Sequence, residues 1–223
     1  MDHQNGLAHF IEHVIFKGTE RRKAYHILSR LEDVGGELNA YTSKEETVIQ
    51  AAFLSKHYGR TLELFSDIVF HSVFPEKELK KEQEVIIDEI NSYKDTPSEQ
   101  IFDDFDGLLF PDHPLGKNIL GTKKLVKSYN KKKVKEFIAQ NYATDKMVIS
   151  SVGPIDFNKL VKLFEKYFGE EPENSSNNPR EKVNGYLPTE QVKKRRIFQA
   201  HCMIGNRAYG MRDDKRVAFS LLN

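Results

Sequence analysis

The sequence predicts an α+β fold, an antiparallel sheet packed with helices. Three observations carry this. Apolar residues recur at helical spacing through most of the chain. Two short alternating runs sit side by side at 37–42 and 46–54. The regular strand–helix alternation of a doubly wound sheet is absent.

The first element is the stretch from Leu7 to Phe16, apolar except for His9, Glu12 and His13 and stopped before Gly18; this spacing predicts a helix over 7–16. A second helix is expected over 23–34, with Ile27, Leu28, Leu31 and Val34 on one face and Gly35-Gly36 as its C-terminal signal. Glu37–Thr42 and residues 46–54 read as strands joined through Ser43-Lys44-Glu45. Helical periodicity returns over 58–71, where Leu62, Phe65, Ile68 and Val69 share a face. Pro75 then opens a helix to about Lys94, and further helices are expected at 98–109, 122–128, 131–141 and 156–168. Strands are expected at 146–152, bounded by Gly153-Pro154, and at 195–204. A helix begins at 213–222. Phe53, Phe65, Phe70 and Phe74 are assigned to the core, and Cys202 to a buried strand as an inert thiol.

Composition narrows the function classes. The 223 residues are 39% hydrophobic and 30% charged, enough for a sizeable core and unlike a disordered chain. Lys and Arg (34) nearly balance Asp and Glu (33), so no global field draws in nucleic acid or an anionic membrane. The run Lys193-Lys194-Arg195-Arg196 is too short to change that. A single cysteine excludes an internal disulfide framework and a cysteine-based zinc site. No apolar run reaches the roughly 18–20 residues that span a bilayer, and residues 1–6 have no signal-peptide pattern. The expected compartment is the cytoplasm, unless a targeting segment precedes Met1.

The chemistry concentrates at His9-Phe10-Ile11-Glu12-His13. On a helix, residues four apart lie on one face a turn apart, so His9 and His13 can grip one ion. Glu12, three residues after His9, shares that face and can take a proton from a water that a metal has activated. The alternative is a buried hydrogen-bond network. The metal is the better reading, because three ionisable groups on a helix apolar nearly all round are costly to bury unpaired. A hydrolytic zinc needs three protein ligands. The helix from 76 to 94 offers Glu82 and Glu89, two turns apart on a stripe with Val85, Ile86, Ile90 and Tyr93; Glu78, Glu84 and Asp88 face elsewhere. His113, in Asp-His-Pro-Leu-Gly, is read as part of a structural turn. His3, His26, His57, His71 and His201 have no partner at ligand spacing and are read as structural or surface residues.

His-x-x-Glu-His followed by an acid 76 positions after the second His resembles the inverzincins, the pitrilysin and insulin-degrading-enzyme family of zinc peptidases, which includes the mitochondrial processing peptidase β-subunit. Neighbouring blocks are similar in the same order. They are Asn5–His13, Phe16-Lys17-Gly18-Thr19, Gly35–Thr42, Glu82–Glu89, and His113-Pro114-Leu115-Gly116 with Ile119-Leu120-Gly121-Thr122. The resemblance implies a zinc-dependent endopeptidase with one Zn2+ per chain. His9, His13 and Glu89 would be the ligands, Glu12 the catalytic base, and Glu82 a supporting acid that orients a histidine. Leu38, Asn39, Ala40, Tyr41 and Thr42 would be the sheet edge that takes peptide or unfolded polypeptide as an added strand. It also implies a metallopeptidase domain, N-terminally truncated, over 1–169, a linker over 170–190, and the incomplete start of a second, homologous domain over 191–223. A homo- or hetero-oligomer would form through that second domain. The competing expectations are a non-catalytic peptide-binding or structural subunit of the same family, and a different hydrolase with the same metal geometry.

Overall fold

The computed structural model describes residues 2–180, 182–183, 185 and 187–222. Glu181, Asn184 and Tyr186 of the expected linker, and Asn223, lie outside them. The chain divides into two units, Met1–Asn91 with Asn118–Arg180, and Ser92–Lys117 with Glu181–Asn223.

The first unit opens with helix α1 (Leu7–Val14), followed by α2 (Ala24–Glu32), strands β1 (Glu37–Thr42) and β2 (Thr47–Ala52), α3 (Tyr58–His71) and α4 (Glu76–Lys94, whose last three residues belong to the second unit). After residue 117 it continues with α6 (Lys123–Ser128), α7 (Lys131–Asn141) and α8 (Phe157–Phe168); α5 (Pro97–Leu109) and α9 (Arg216–Leu222) belong to the second unit. Helix boundaries fall within two residues of the sequence expectation, except that α9 begins three residues later than expected.

β1 and β2 form an antiparallel hairpin with Leu38 opposite Ala51 and Ala40 opposite Ile49. Alternation sends Leu38, Ile49 and Ala51 onto a core of Ile15, Ile27, Leu31, Leu64 and Ile68, while Asn39 and Tyr41 face out. α1 packs against both strands and against α7. The apolar wrap read from its sequence is real: Leu7, Phe10, Ile11, Val14 and Ile15 are all buried.

Both ends of α1 are pinned. At its start, Gly6 adopts φ 92° and lies against Gly121, itself at φ 72°. A Cβ on Gly121 would come within 2.4 Å of the Asn5 carbonyl, and one on Gly6 within 2.7 Å of the Leu120 carbonyl, so the two backbones meet where only glycine fits. The buried Tyr129 hydroxyl donates to the same Asn5 carbonyl at 2.5 Å. Beyond its end, a buried network ties the following loop to α3. Thr19 Oγ1 donates to Asp67 Oδ2 at 2.8 Å, Arg22 bridges Asp67 and Glu63 at 2.5 Å each, and Arg30 adds a 2.9 Å bond to Glu63.

Several expectations fail. Residues 146–152 do not form a strand: a short 3-10 turn at Thr144–Lys146 leads into an unpaired extended segment in which Val148 and Val152 are 91% and 98% exposed. A strand exists through bonds to a neighbour, and none of the described residues pairs with this one. The strand expected at 195–204 is missing for the same reason, and Cys202 is consequently exposed rather than buried. Val85 is also exposed, at the flank of the inward stripe of α4, whose buried members are Leu79, Glu82, Ile86 and Ile90. Of the four core phenylalanines, Phe74 is fully buried and Phe53, Phe65 and Phe70 are half-buried.

In the second unit, the His113 ring caps its own turn, with Nδ1 accepting from the Leu115 N–H at 3.2 Å. The first part of the 170–190 stretch packs in the first unit: Asn174 and Thr144 exchange three hydrogen bonds of 2.7–2.9 Å.

Candidate metal centre

α1 and α4 bring together the residues singled out from sequence. His9 and His13 stand one turn apart on α1 with ring centroids 4.6 Å apart. Glu89, on α4, points Oε2 at both rings, 3.7 Å from His9 Nε2 and 3.5 Å from His13 Nε2. One ligand atom from each of these three residues lies within 4.8 Å of the others, the only such group of three among the described residues.

These distances are longer than ordinary hydrogen bonds. Glu89 Oε2 is buried and has no hydrogen-bond partner. Burial, as the main cause, holds the Glu89 carboxyl above the usual range; His13 opposes this and Glu12 adds to it. His9 is buried, and burial with the neighbouring His13 pushes its pKa down to about 4, so at neutral pH the ring is uncharged and its nitrogen lone pair is available. Two imidazoles and a carboxylate around one point, with a buried oxygen that has no hydrogen-bond partner among them, are a donor set that fits a divalent cation. Tetrahedral zinc with bonds of about 2.0–2.1 Å separates its ligand atoms by about 3.3 Å, close to the 3.5 and 3.7 Å found here.

Glu82, two turns before Glu89, bonds to the far side of His13: Oε2 lies 3.2 Å from Nδ1. Where the Glu82 carboxylate accepts, Nδ1 is the donor in this contact, and in the neutral ring that tautomer presents Nε2 toward Glu89. His9 Nδ1 has no such partner among the described residues. Glu12 is half-buried on the same helix, one residue before His13. β1 has β2 on one edge and no other strand beside it among the described residues. On β1, Asn39 Oδ1 accepts from the Ala40 N–H at 2.8 Å.

Sequence reasoning missed the cation in this cluster. Lys17 Nζ sits 2.8 Å from Glu82 Oε1. Its block, Phe16-Lys17-Gly18-Thr19, stood out, yet nothing in the spacing linked a loop lysine to an acid 65 positions later. The only available hint was that a buried acid needs a positive partner.

The fold places a donor set that could hold a metal ion on a helix with an inverted His-x-x-Glu-His pattern. Residues 1–123 match the family described as Insulinase (Peptidase family M16), and residues 128–223 match the Peptidase M16 inactive domain. The chain therefore belongs to peptidase family M16. It is 39% identical over 184 residues to the mitochondrial-processing peptidase subunit beta of Saccharomyces cerevisiae, covering 82% of this chain and 40% of that protein. It is 36% identical over 202 residues to the uncharacterized zinc protease YmxG of Bacillus subtilis, covering 90% and 49%. The chain thus spans less than half the length of either relative. A protease from Helicobacter pylori shares the fold at a TM-score of 0.74 and 24% identity, over 82% of this chain and 44% of that one. Pitrilysin does so at 0.70 and 22%, over 82% and 20%.

Proposed function

We propose that the protein carrying this chain is a zinc-dependent endopeptidase and that the chain supplies the metal-holding half of its active site, with one zinc per chain. The observation that carries this reading is the buried, unpaired Glu89 Oε2 facing the Nε2 atoms of His9 and His13. The kinship with a zinc protease and a processing peptidase subunit supports it.

His9, His13 and Glu89 would hold the ion. Zinc in such a site lowers the pKa of water and polarises a carbonyl. Glu12 accepts the proton of the attacking water and returns it to the leaving amine. Glu82 keeps His13 in the tautomer that presents Nε2. The open edge of β1, Leu38 to Thr42, takes the substrate as an added strand. That mode bonds to backbone and so tolerates many side chains. To bind there, a peptide must displace Asn39 from the Ala40 N–H. The substrate is a peptide or unfolded polypeptide, and the second domain provides the contact for a homo- or hetero-oligomer. Among the described residues no helix is long and apolar enough to cross a membrane; the compartment proposed is the cytoplasm, to be checked by fractionation.

The test uses the full-length protein and a quenched peptide blocked at both ends. Wild type cuts at an internal bond. Glu12→Gln retains zinc and loses cleavage by about 10²–10⁴-fold. Normal cleavage with Gln at 12 would rule out the mechanism, and zinc stoichiometry near zero in wild type would favour the non-catalytic peptide-binding reading.

A further inference from the structure

Glu82 is one of the most buried charges in the molecule, at 8% exposure, and its two oxygens serve different partners. Oε2 meets His13 Nδ1 at 3.2 Å and Oε1 meets Lys17 Nζ at 2.8 Å. The carboxylate thus connects the loop after α1 to the ring that faces Glu89. Lys17 does not reach Glu82 by chance flexibility, because its backbone is held on both sides. The Lys17 N–H bonds the Val14 carbonyl at 3.1 Å, and Ser72 Oγ donates to the Ile15 carbonyl at 3.1 Å. Past Lys17, the Gly18 carbonyl accepts from the Val73 N–H at 3.1 Å, and Thr19 is locked to Asp67. Lys17 also lies near Glu78, but that acid has its own partner in Lys81 at 2.9 Å.

We propose that Lys17 is a positioning residue of the metal centre: by holding Oε1 of Glu82 it fixes the carboxylate so that Oε2 accepts from His13 Nδ1–H, leaving His13 Nε2 bare toward the metal position. This rests on the zinc reading above. The physical reason is geometric: the 2.8 Å contact from Lys17 to Oε1 holds the carboxylate in the orientation that aims Oε2 at His13 Nδ1. The single 3.2 Å contact with His13 leaves the other oxygen without a hold. Without Lys17, the Glu82 carboxylate gains freedom to rotate, and His13 loses its fixed partner. A bare cation near a metal would by itself repel the ion, so the direction of the effect separates the two roles. If Lys17 acts through Glu82, removing it weakens zinc binding. If it acts only by its charge, removing it tightens zinc binding.

The experiment is a zinc competition against a chromophoric chelator with the full-length protein, in wild type, Lys17→Met, Lys17→Arg, Glu82→Gln and the double variant Lys17→Met/Glu82→Gln. Circular dichroism of the zinc-free forms confirms the fold. Loss of an outer partner of a metal-bound histidine costs about 10–100-fold in affinity, and Lys17→Met is expected at the lower end, about tenfold. Lys17→Arg stays near wild type, and Lys17→Met adds nothing once Glu82 is Gln. Should Lys17→Met not fold, Lys17→Gln takes its place against Lys17→Arg. Unchanged or tighter binding in the neutral variant, or an equal loss in the Glu82→Gln background, overturns the proposal. Wild type that binds no zinc overturns the zinc reading and this inference with it. Zinc held by wild type and lost in His13→Ala, with Lys17→Met unaffected, overturns the inference alone.

Discussion

At the residue scale, the environment of His9 disfavours its protonated form. Burial and His13 hold its pKa at about 4 against 6.5 in a free chain. The sign follows from proton uptake. Below about pH 6.5 the unfolded chain binds a proton at this position that the folded, zinc-free chain refuses until about pH 4. Stability is therefore unaffected above that window and falls as pH drops through it, by up to ~3 kcal/mol. Urea denaturation of zinc-free protein at pH 7 and 4.5 checks this: His9→Gln should lack that part of the loss. An equal loss in both proteins would mean that His9 titrates normally. This residue-level chemistry was legible in the sequence where spacing alone places groups on one helix face, as with His9, Glu12 and His13, or Glu82 and Glu89. Where a partner comes from a distant loop, as Lys17 does, no local pattern reports it.

At the element scale, α1, which carries His9, Glu12 and His13, is positioned from its two ends. Gly121→Ala forces a side chain into a left-handed backbone position and to within 2.4 Å of the Asn5 carbonyl, which should cost about 2 kcal/mol or more. Asp67→Ala removes one of the two carboxylates that Arg22 bridges and the acceptor of Thr19 Oγ1; with Glu63 still facing Arg22, about 1–3 kcal/mol is expected. Chemical denaturation measures both; values under 0.5 kcal/mol would show that neither feature holds α1. Most elements could be read in advance because their signals are local. The Gly35-Gly36 stop after α2, the turn at Ser43–Glu45 and the period of α4 each act within a few residues. The strands expected at 146–152 and 195–204 had equally good local patterns and did not form. A strand is completed by a neighbour, and the identity of that neighbour is not written in the strand itself. The misplacement of Cys202 followed from the same cause.

At the scale of the whole molecule, the two family matches, at 1–123 and 128–223, and the two structural units describe the chain in different ways. His9, His13 and Glu89, the group proposed to hold the ion, all lie within the first unit. Binding an ion only in the folded state adds stability by mass action. At a free zinc concentration 100-fold above the dissociation constant, the melting temperature should rise by roughly 5–10 °C for a chain of this size. Chelation should reverse the rise. A melting curve indifferent to zinc and chelator would place the ligand set outside the cooperative fold.

The central claim is that His9, His13 and Glu89 hold one zinc ion. Its most direct test is the zinc content of purified full-length protein by elemental analysis, alongside His13→Ala and Glu89→Ala. One zinc per chain in wild type, with strong depletion in both variants, is the result expected. Absence of zinc from wild type, or full retention in both variants, would contradict it.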